Sequence, residues 1–302
     1  MMEYFDIHPE IKDAMQQLLP VVVIESTVWV HGLPEEYSIP ALVECQKIIR
    51  QEGAIPAIVG ISDGRIKIGL GAEDISAMID RKRARKVNLR DIPQCIQKRE
   101  DGATTVSATL FMAHRMGLPL VVTGGMGGVH RQAEKTFDIS ADLTTLATTP
   151  VALVTSGIKS ILNIPATLEY METAAIPVIG YRTDSFPTFY CSSSNLPVPE
   201  RMDEVDEIAG ILRIRQKIGM KQGVLIANPV PQEYSLGETF LEEVVEKSLF
   251  EAQEMEISGK DVTPFLLERL HTLTSGKTIQ ANIALLKENA ALGARLAKYL
   301  YY

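Results

Sequence analysis

Six short, nearly uninterrupted apolar runs constrain this chain more than any other feature. They lie at residues 20–24, 55–60, 118–122, 151–155, 176–181 and 223–227. A strand with one face in water alternates apolar and polar residues, whereas a strand covered on both faces reads as a continuous apolar run. Between the runs lie segments of helical spacing at 39–51, 105–116 and 203–219. Near the C-terminus Ile279, Ile283, Leu286 and Ala290 form one stripe, with Leu285, Leu292, Leu296 and Leu300 beside it. Buried strands alternating with helices predict an α/β fold, a three-layer α/β/α sandwich around a largely parallel or mixed central sheet. No repeat or low-complexity linker divides the 302 residues, so residues 1–302 read as a single domain. The long irregular stretch 182–200 carries Pro187, Pro197, Pro199 and a serine cluster, and is expected to be a functional or mobile loop.

Composition narrows the function classes. A net charge of −8 lacks the basic footprint of a general nucleic-acid binder, yet leaves room for a local basic pocket that takes a phosphorylated small molecule. Cys45, Cys95 and Cys191 are odd in number and far apart, which fits neither a disulfide framework nor a zinc site and suits a reducing cytoplasm. The sequence starts without the basic segment of a signal peptide and holds no apolar run of membrane-spanning length, so no membrane association is expected.

In open α/β sheets ligands collect beyond the carboxyl ends of the strands. Reactive residues fall at those positions here. Glu25 follows the run 20–24. Thr123-Gly-Gly-Met-Gly-Gly-Val-His130-Arg131 follows 118–122, Ser156-Gly-Ile-Lys159 follows 151–155, and Asn228-Pro229 follows 223–227. Four glycines within five residues leave main-chain N–H groups free to approach an anion, with His130 and Arg131 adding charge, although such turns also serve packing alone. The spacing matches neither a Walker loop nor a dinucleotide fingerprint. Glu25 reads as a pocket-lining acid whose pKa burial would raise toward neutrality, or else as a capping carboxylate. His31 reads as a turn histidine. Lys159 is either one more surface cation or a nucleophilic amine at the start of a helix, where the dipole disfavours a positive charge. Asp138 and Asp142 are four apart and share a face if helical. They read either as a hard-oxygen site for Mg²⁺ or Mn²⁺, or as a helix N-cap by Asp138 supported by Ser140. In the basic run Arg81-Lys-Arg-Ala-Arg-Lys86, only Lys86 is expected in the pocket.

Taken together these segments resemble the pseudouridine-5′-phosphate glycosidase family, also called indigoidine synthase A-like proteins. The resemblance spans nearly the whole chain. It rests on Ile24-Glu-Ser-Thr27 with His31-Gly-Leu-Pro34, Gly102-Ala-Thr-Thr-Val106, the segments 123–131 and 136–143, Lys159-Ser-Ile-Leu162, Asn228-Pro229, Thr263-Pro-Phe-Leu-Leu267 and Asn282. It implies that Glu25 is a proton donor, Lys159 a Schiff-base nucleophile and Asp138 the ligand of one divalent ion, Mn²⁺ or Mg²⁺. Substrate contacts are implied for Lys86, Val106, Thr123, His130, Ser140, Ala141, Asp142 and Asn282. The chain departs from the family at Asn88-Leu89, where Ser-Arg is more usual, and at Thr155-Ser-Gly-Ile, where an Ala-Gly-Ala type is commoner. The implied reaction is reversible cleavage of pseudouridine 5′-phosphate to uracil and ribose 5-phosphate by a cytoplasmic homotrimer. Two rivals remain at this stage. One is a Schiff-base lyase or aldolase acting on another phosphorylated sugar, and the other is a non-catalytic phosphosugar-binding regulator. The second is disfavoured because mere binding needs no nucleophile.

Overall fold

A computed structural model of the chain describes residues 3–80, 84–257 and 262–301. In chain order its strands are β1 (Phe5–Ile7), β2 (Val21–Ile24), β3 (Ile55–Ser62), β4 (Arg65–Ile68), β5 (Arg85–Val87), β6 (Gly102–Thr104), β7 (Leu120–Val122), β8 (Ala152–Thr155), β9 (Val178–Tyr181), β10 (Glu200–Met202) and β11 (Val224–Ala227). They form one sheet in the order β1-β4-β3-β2-β7-β8-β11-β9-β10, with β6 pairing with β3 and β5 pairing with β6 off that path. The pairs β3–β4 and β3–β6 are antiparallel, and the run from β3 through β2, β7, β8, β11 and β9 to β10 is parallel.

All six apolar runs become strands, and every residue of β2, β7, β8, β9 and β11 is buried, so both faces of the central sheet are covered. The other five strands have three or four residues each, several of them charged, which is too little pattern for periodicity to register. Helices expected at 39–51, 105–116 and 203–219 appear as Glu35–Gln51, Val106–Arg115 and Val205–Lys217. The long C-terminal helix Lys277–Leu300 lies across β2, β7 and β8 and packs along the helix Glu35–Gln51. Its buried Leu285, Leu286, Leu292 and Leu296 form the apolar face that covers the sheet. No helix of the described residues is long and apolar enough to cross a membrane.

This topology positions the site. Ile24 is level with Val122, Val122 with Val154, and Thr155 with Ala227, in four adjacent parallel strands. Glu25, Thr123, Ser156 and Asn228 therefore leave the same edge of the sheet side by side, at the spacing of neighbouring strands, about 4.8 Å.

Candidate active site

Glu25 is 4% exposed, and the Thr123 hydroxyl donates a hydrogen bond to its Oε1. Burial pushes the carboxyl up to about 7, against the opposing pull of the Lys159 charge and the Thr123 hydroxyl. Desolvation wins because charge is expensive in a dry site. The next two residues lock this strand end in place. Ser26 Oγ accepts from the Thr104 amide at 2.8 Å, and the Thr27 hydroxyl donates to the Ala103 carbonyl at 2.9 Å.

Lys159 comes within electrostatic reach of Glu25 by a route the sequence did not suggest. No helix starts there; the next one begins at Ile164, capped by Asn163. Instead 156–159 runs alongside the glycine loop, with a Met126–Ile158 bridge and the Lys159 amide donating to the Met126 carbonyl at 3.1 Å. Gly157 makes this path available, because its φ is +91° and a Cβ there would lie 1.9 Å from the Pro187 carbonyl oxygen. The segment 182–199 provides that contact. Phe186, Phe189, Tyr190 and Cys191 are buried, the Phe189 amide donates to Ser156 O, and the Ser160 hydroxyl donates to Thr188 O.

The glycine loop turns out to be shaped mainly for packing. A Cβ at Gly125 would strike the Phe189 ring at 2.5 Å, and one at Gly127 would strike Ser140 Oγ at 2.3 Å. Four of its amides are committed, only one of them a glycine's: Met126 donates to Gly157 O, Gly127 to Asp142 Oδ2, Val129 to Thr167 Oγ1 and His130 to Asp138 O. The carboxylate this loop holds is thus Asp142 itself. The other oxygen of Asp142 accepts from the Ser107 amide at 2.8 Å, joining the loop to the N-terminus of the helix Val106–Arg115. Arg131, expected to add charge, is instead paired with Glu242 through two bonds of 2.6 and 2.8 Å.

Asp138 and Asp142 do not share a helix. The helix Ala141–Thr148 is capped by Ser140, whose Oγ accepts from the Asp142 amide, and Asp138 precedes it in a loop. Neither the shared face nor an Asp138 N-cap is present. Asp138 is 51% exposed and lies 3.6 Å from Nδ1 of His130. Burial lowers the His130 pKa, as do the Lys159 and Lys86 charges, while Asp138 raises it. Among the described residues no group of three or more His, Cys, Asp or Glu side chains could hold a metal ion. An ion here would have one protein carboxylate, an arrangement that fits a hard divalent cation keeping most of its waters and not a protein cage.

Lys86, on β5, is accessible in the cleft, yet the protein around it desolvates the amine and lowers its pKa, aided by the Lys159 charge and opposed by Asp142 and Glu25. Arg81, Lys82 and Arg83 of the basic run lie outside the described residues. Val106 is 1% exposed at the first position of its helix, so its side chain is packed into the protein. Asn282 is 5% exposed, and its Oδ1 has no partner among the described residues. It lines a cavity of about 280 Å³ with His31, Tyr190 and Thr278. His31 was expected to be a turn residue; burial, then the Lys86 charge, lowers its pKa, while a bond to the Ala84 carbonyl raises it. Sequence spacing gave no warning of Asn289, which is 0% exposed and lies under the strand ends. A polar residue inside an otherwise leucine-rich helical stripe was the available signal.

The geometry has close relatives. The family model for indigoidine synthase A like proteins matches residues 10–299. The pseudouridine-5′-phosphate glycosidase of Caldanaerobacter subterraneus subsp. tengcongensis is 46% identical over 300 residues, covering 99% of this chain and 98% of that protein. The glycosidase of the same name from Geobacillus kaustophilus is 45% identical, covering 99% of this chain and 100% of that protein. Among solved structures, an indigoidine synthase A-like protein of Thermotoga maritima superposes with a TM-score of 0.91 at 39% identity, covering 99% of this chain and 97% of that one. The prealnumycin C-glycosynthase AlnA, solved with ribulose 5-phosphate, gives a TM-score of 0.91 at 31% identity with the same coverage.

Proposed function

The chain belongs to the indigoidine synthase A-like family, and from that premise we propose that it cleaves pseudouridine 5′-phosphate reversibly to uracil and ribose 5-phosphate. The observation that carries this reading is a buried acid of pKa about 7 whose charge couples to a lysine on the next loop but one along the sheet edge. Pseudouridine joins C1′ of ribose to C5 of uracil, so there is no glycosidic oxygen for a carboxylic acid to protonate in the usual way. An amine offers another path. Neutral Lys159 Nζ attacks C1′, the C1′–O4′ bond opens, and Glu25 delivers a proton to O4′. The alkylated ammonium nitrogen returns a proton to Glu25, which passes it to uracil C5; the C1′–C5 bond then breaks with its electron pair going to uracil, and the freed nitrogen lone pair forms an iminium at C1′. Water adds to that carbon and ribose 5-phosphate leaves, restoring the amine.

Around this pair, Lys86 and His130 are assigned to the 5′-phosphate, with the Val106 amide at the head of its helix. Ser140, Ala141 and Asp142 bound the same cleft, with Asp142 acting as the clamp between loop and helix. Asn282 is assigned to the base, because its free carbonyl can accept from a pyrimidine N–H. Asp138, with water, would hold Mn²⁺ or Mg²⁺, which when bound supplies positive charge and ordered water beside the sugar phosphate. The direct test is product analysis: protein, divalent metal and pseudouridine 5′-phosphate should yield equal amounts of uracil and ribose 5-phosphate. Absence of both products would remove the proposal.

Two results should accompany it. Lys86→Ala should raise KM for the phosphorylated compound about 10- to 100-fold, the loss of one charge-assisted contact of about 1.5–3 kcal/mol. It should leave the poor use of unphosphorylated pseudouridine nearly unchanged, and an equal effect on both compounds would remove Lys86 from the phosphate site. Exhaustive chelation should suppress turnover, and Mn²⁺ or Mg²⁺ should restore it. An Asp138→Ala protein with the rate and metal dependence of the parent would place the ion elsewhere.

A further inference from the structure

At the centre of the C-terminal helix one amide group makes contacts that packing does not require. Asn289 Nδ2 donates to the Thr123 carbonyl at 2.9 Å and to Ser156 Oγ at 3.1 Å. Its Oδ1 accepts from Asn228 Nδ2 at 2.9 Å and from the Ser156 hydroxyl at 3.4 Å. Two donors and two acceptor sites are all that a carboxamide has, and here each is used. The neighbouring buried helix residues Leu285, Leu286 and Leu292 are apolar. A buried polar group is costly unless paired, so leucine would serve packing at this position better than asparagine.

The three partners are the residues that follow β7, β8 and β11. Thr123 is the residue whose hydroxyl donates to Glu25, and Asn289 holds the carbonyl of the same residue. Ser156 opens the loop that ends in Lys159, and its hydroxyl is held by the same amide. We propose that Asn289 is a positioning residue that fixes the Glu25–Thr123 pair and the Lys159 loop relative to each other without touching substrate. The proposal rests on the roles given above to Glu25 and Lys159, but its structural half, control of the Thr123–Glu25 bond, does not need them.

Thr123's hydroxyl favours the ionised form of Glu25, so loosening it should raise the pKa of that carboxyl. The other charges acting on Glu25 are those of Lys159, Asp142 and Lys86; the Lys159 charge also lowers its pKa, so loosening the loop that Asn289 holds through Ser156 moves the titration in the same direction. Asn289→Leu should therefore move the Glu25 carboxyl band to a higher titration midpoint in isotope-edited infrared spectra of the ligand-free protein. With substrate, kcat should fall about 100-fold, the scale of a displacement near 1 Å, with KM changed less than about threefold. Thr123→Val should shift the titration the same way. The double variant should cost less than the sum of the two single ones, because both act in part through the Thr123–Glu25 bond. An Asn289→Leu protein with parental titration, kcat and pH profile, however unstable, would overturn the proposal. If Asn289→Leu does not fold, Asn289→Ala and Ser156→Ala carry the same comparison, and parental values in both would overturn it equally. A titration shift in a protein that never cleaves pseudouridine 5′-phosphate would leave the positioning intact and remove the assigned reaction instead.

Discussion

Lys159→Ala should lose turnover of pseudouridine 5′-phosphate by roughly 10⁴- to 10⁶-fold, the range reached when a covalent catalytic group is removed. Ligand binding should survive, because Lys86, His130 and Asp138 come from other segments. Lys159→Arg should be as inactive, since a guanidinium keeps the charge but stays protonated and forms no imine. That pair of variants separates nucleophile from electrostatics: an active arginine variant would mean that only the positive charge matters. Steady-state kinetics with a ribose 5-phosphate binding titration distinguishes the two outcomes.

Glu25→Gln should cost about 10²- to 10⁴-fold in kcat, the usual contribution of a positioned proton donor. It should also stabilise the protein at alkaline pH, which a merely structural acid forming a favourable ion pair would not allow. Burial pushes the folded-state carboxyl up to about 7, against 4.5 for the solvated group. A raised folded pKa means that folding takes up a proton between those values, so the stability Glu25 contributes is complete below about 4.5 and is lost as pH rises through about 7. The full loss is on the order of 3 kcal/mol. Glutamine has no charge to desolvate, so the variant should gain most of that difference at pH 8–9 and almost none at pH 5. In the parent, kcat should fall as pH rises through about 7, where Glu25 loses the proton it must donate. Urea denaturation at the two pH values measures the first effect. An unchanged or lower stability of the variant at high pH would show that Glu25 is better solvated or better paired than this cleft makes it.

The sheet was legible because burial on both faces leaves an unbroken apolar run, as in Val21–Ile24 and Val224–Ala227. The rule that ligands gather beyond parallel strand ends picks out Glu25, Thr123, Ser156 and Asn228 from the sequence, and the strand order makes all four neighbours. Short strands such as Gly102–Thr104 were not legible, because their places are set by partners such as Ser26 and not by their own pattern. The helix inferred at Lys159 failed for a similar reason. A strand followed by Ser-Gly resembles a helix entry, but Gly157 adopts φ +91° and the chain instead bridges to the glycine loop. The loop's glycines were read as room for an anion, and most of that room is filled by Phe189, Ser140 and Asp142. Such contacts connect residues 13 to 64 positions apart and leave no local trace in the sequence.

The most direct test of the central claim is to trap the sugar on the enzyme. Ribose 5-phosphate, protein and borohydride should give a stable adduct carrying the reduced sugar phosphate, and peptide mapping should find it on Lys159. Glu25→Gln should still trap, more slowly, because its amine remains available, and Lys159→Ala should not trap. An adduct on a different lysine, or full turnover with no adduct under any reducing condition, would contradict the assignment of Lys159 as the nucleophile.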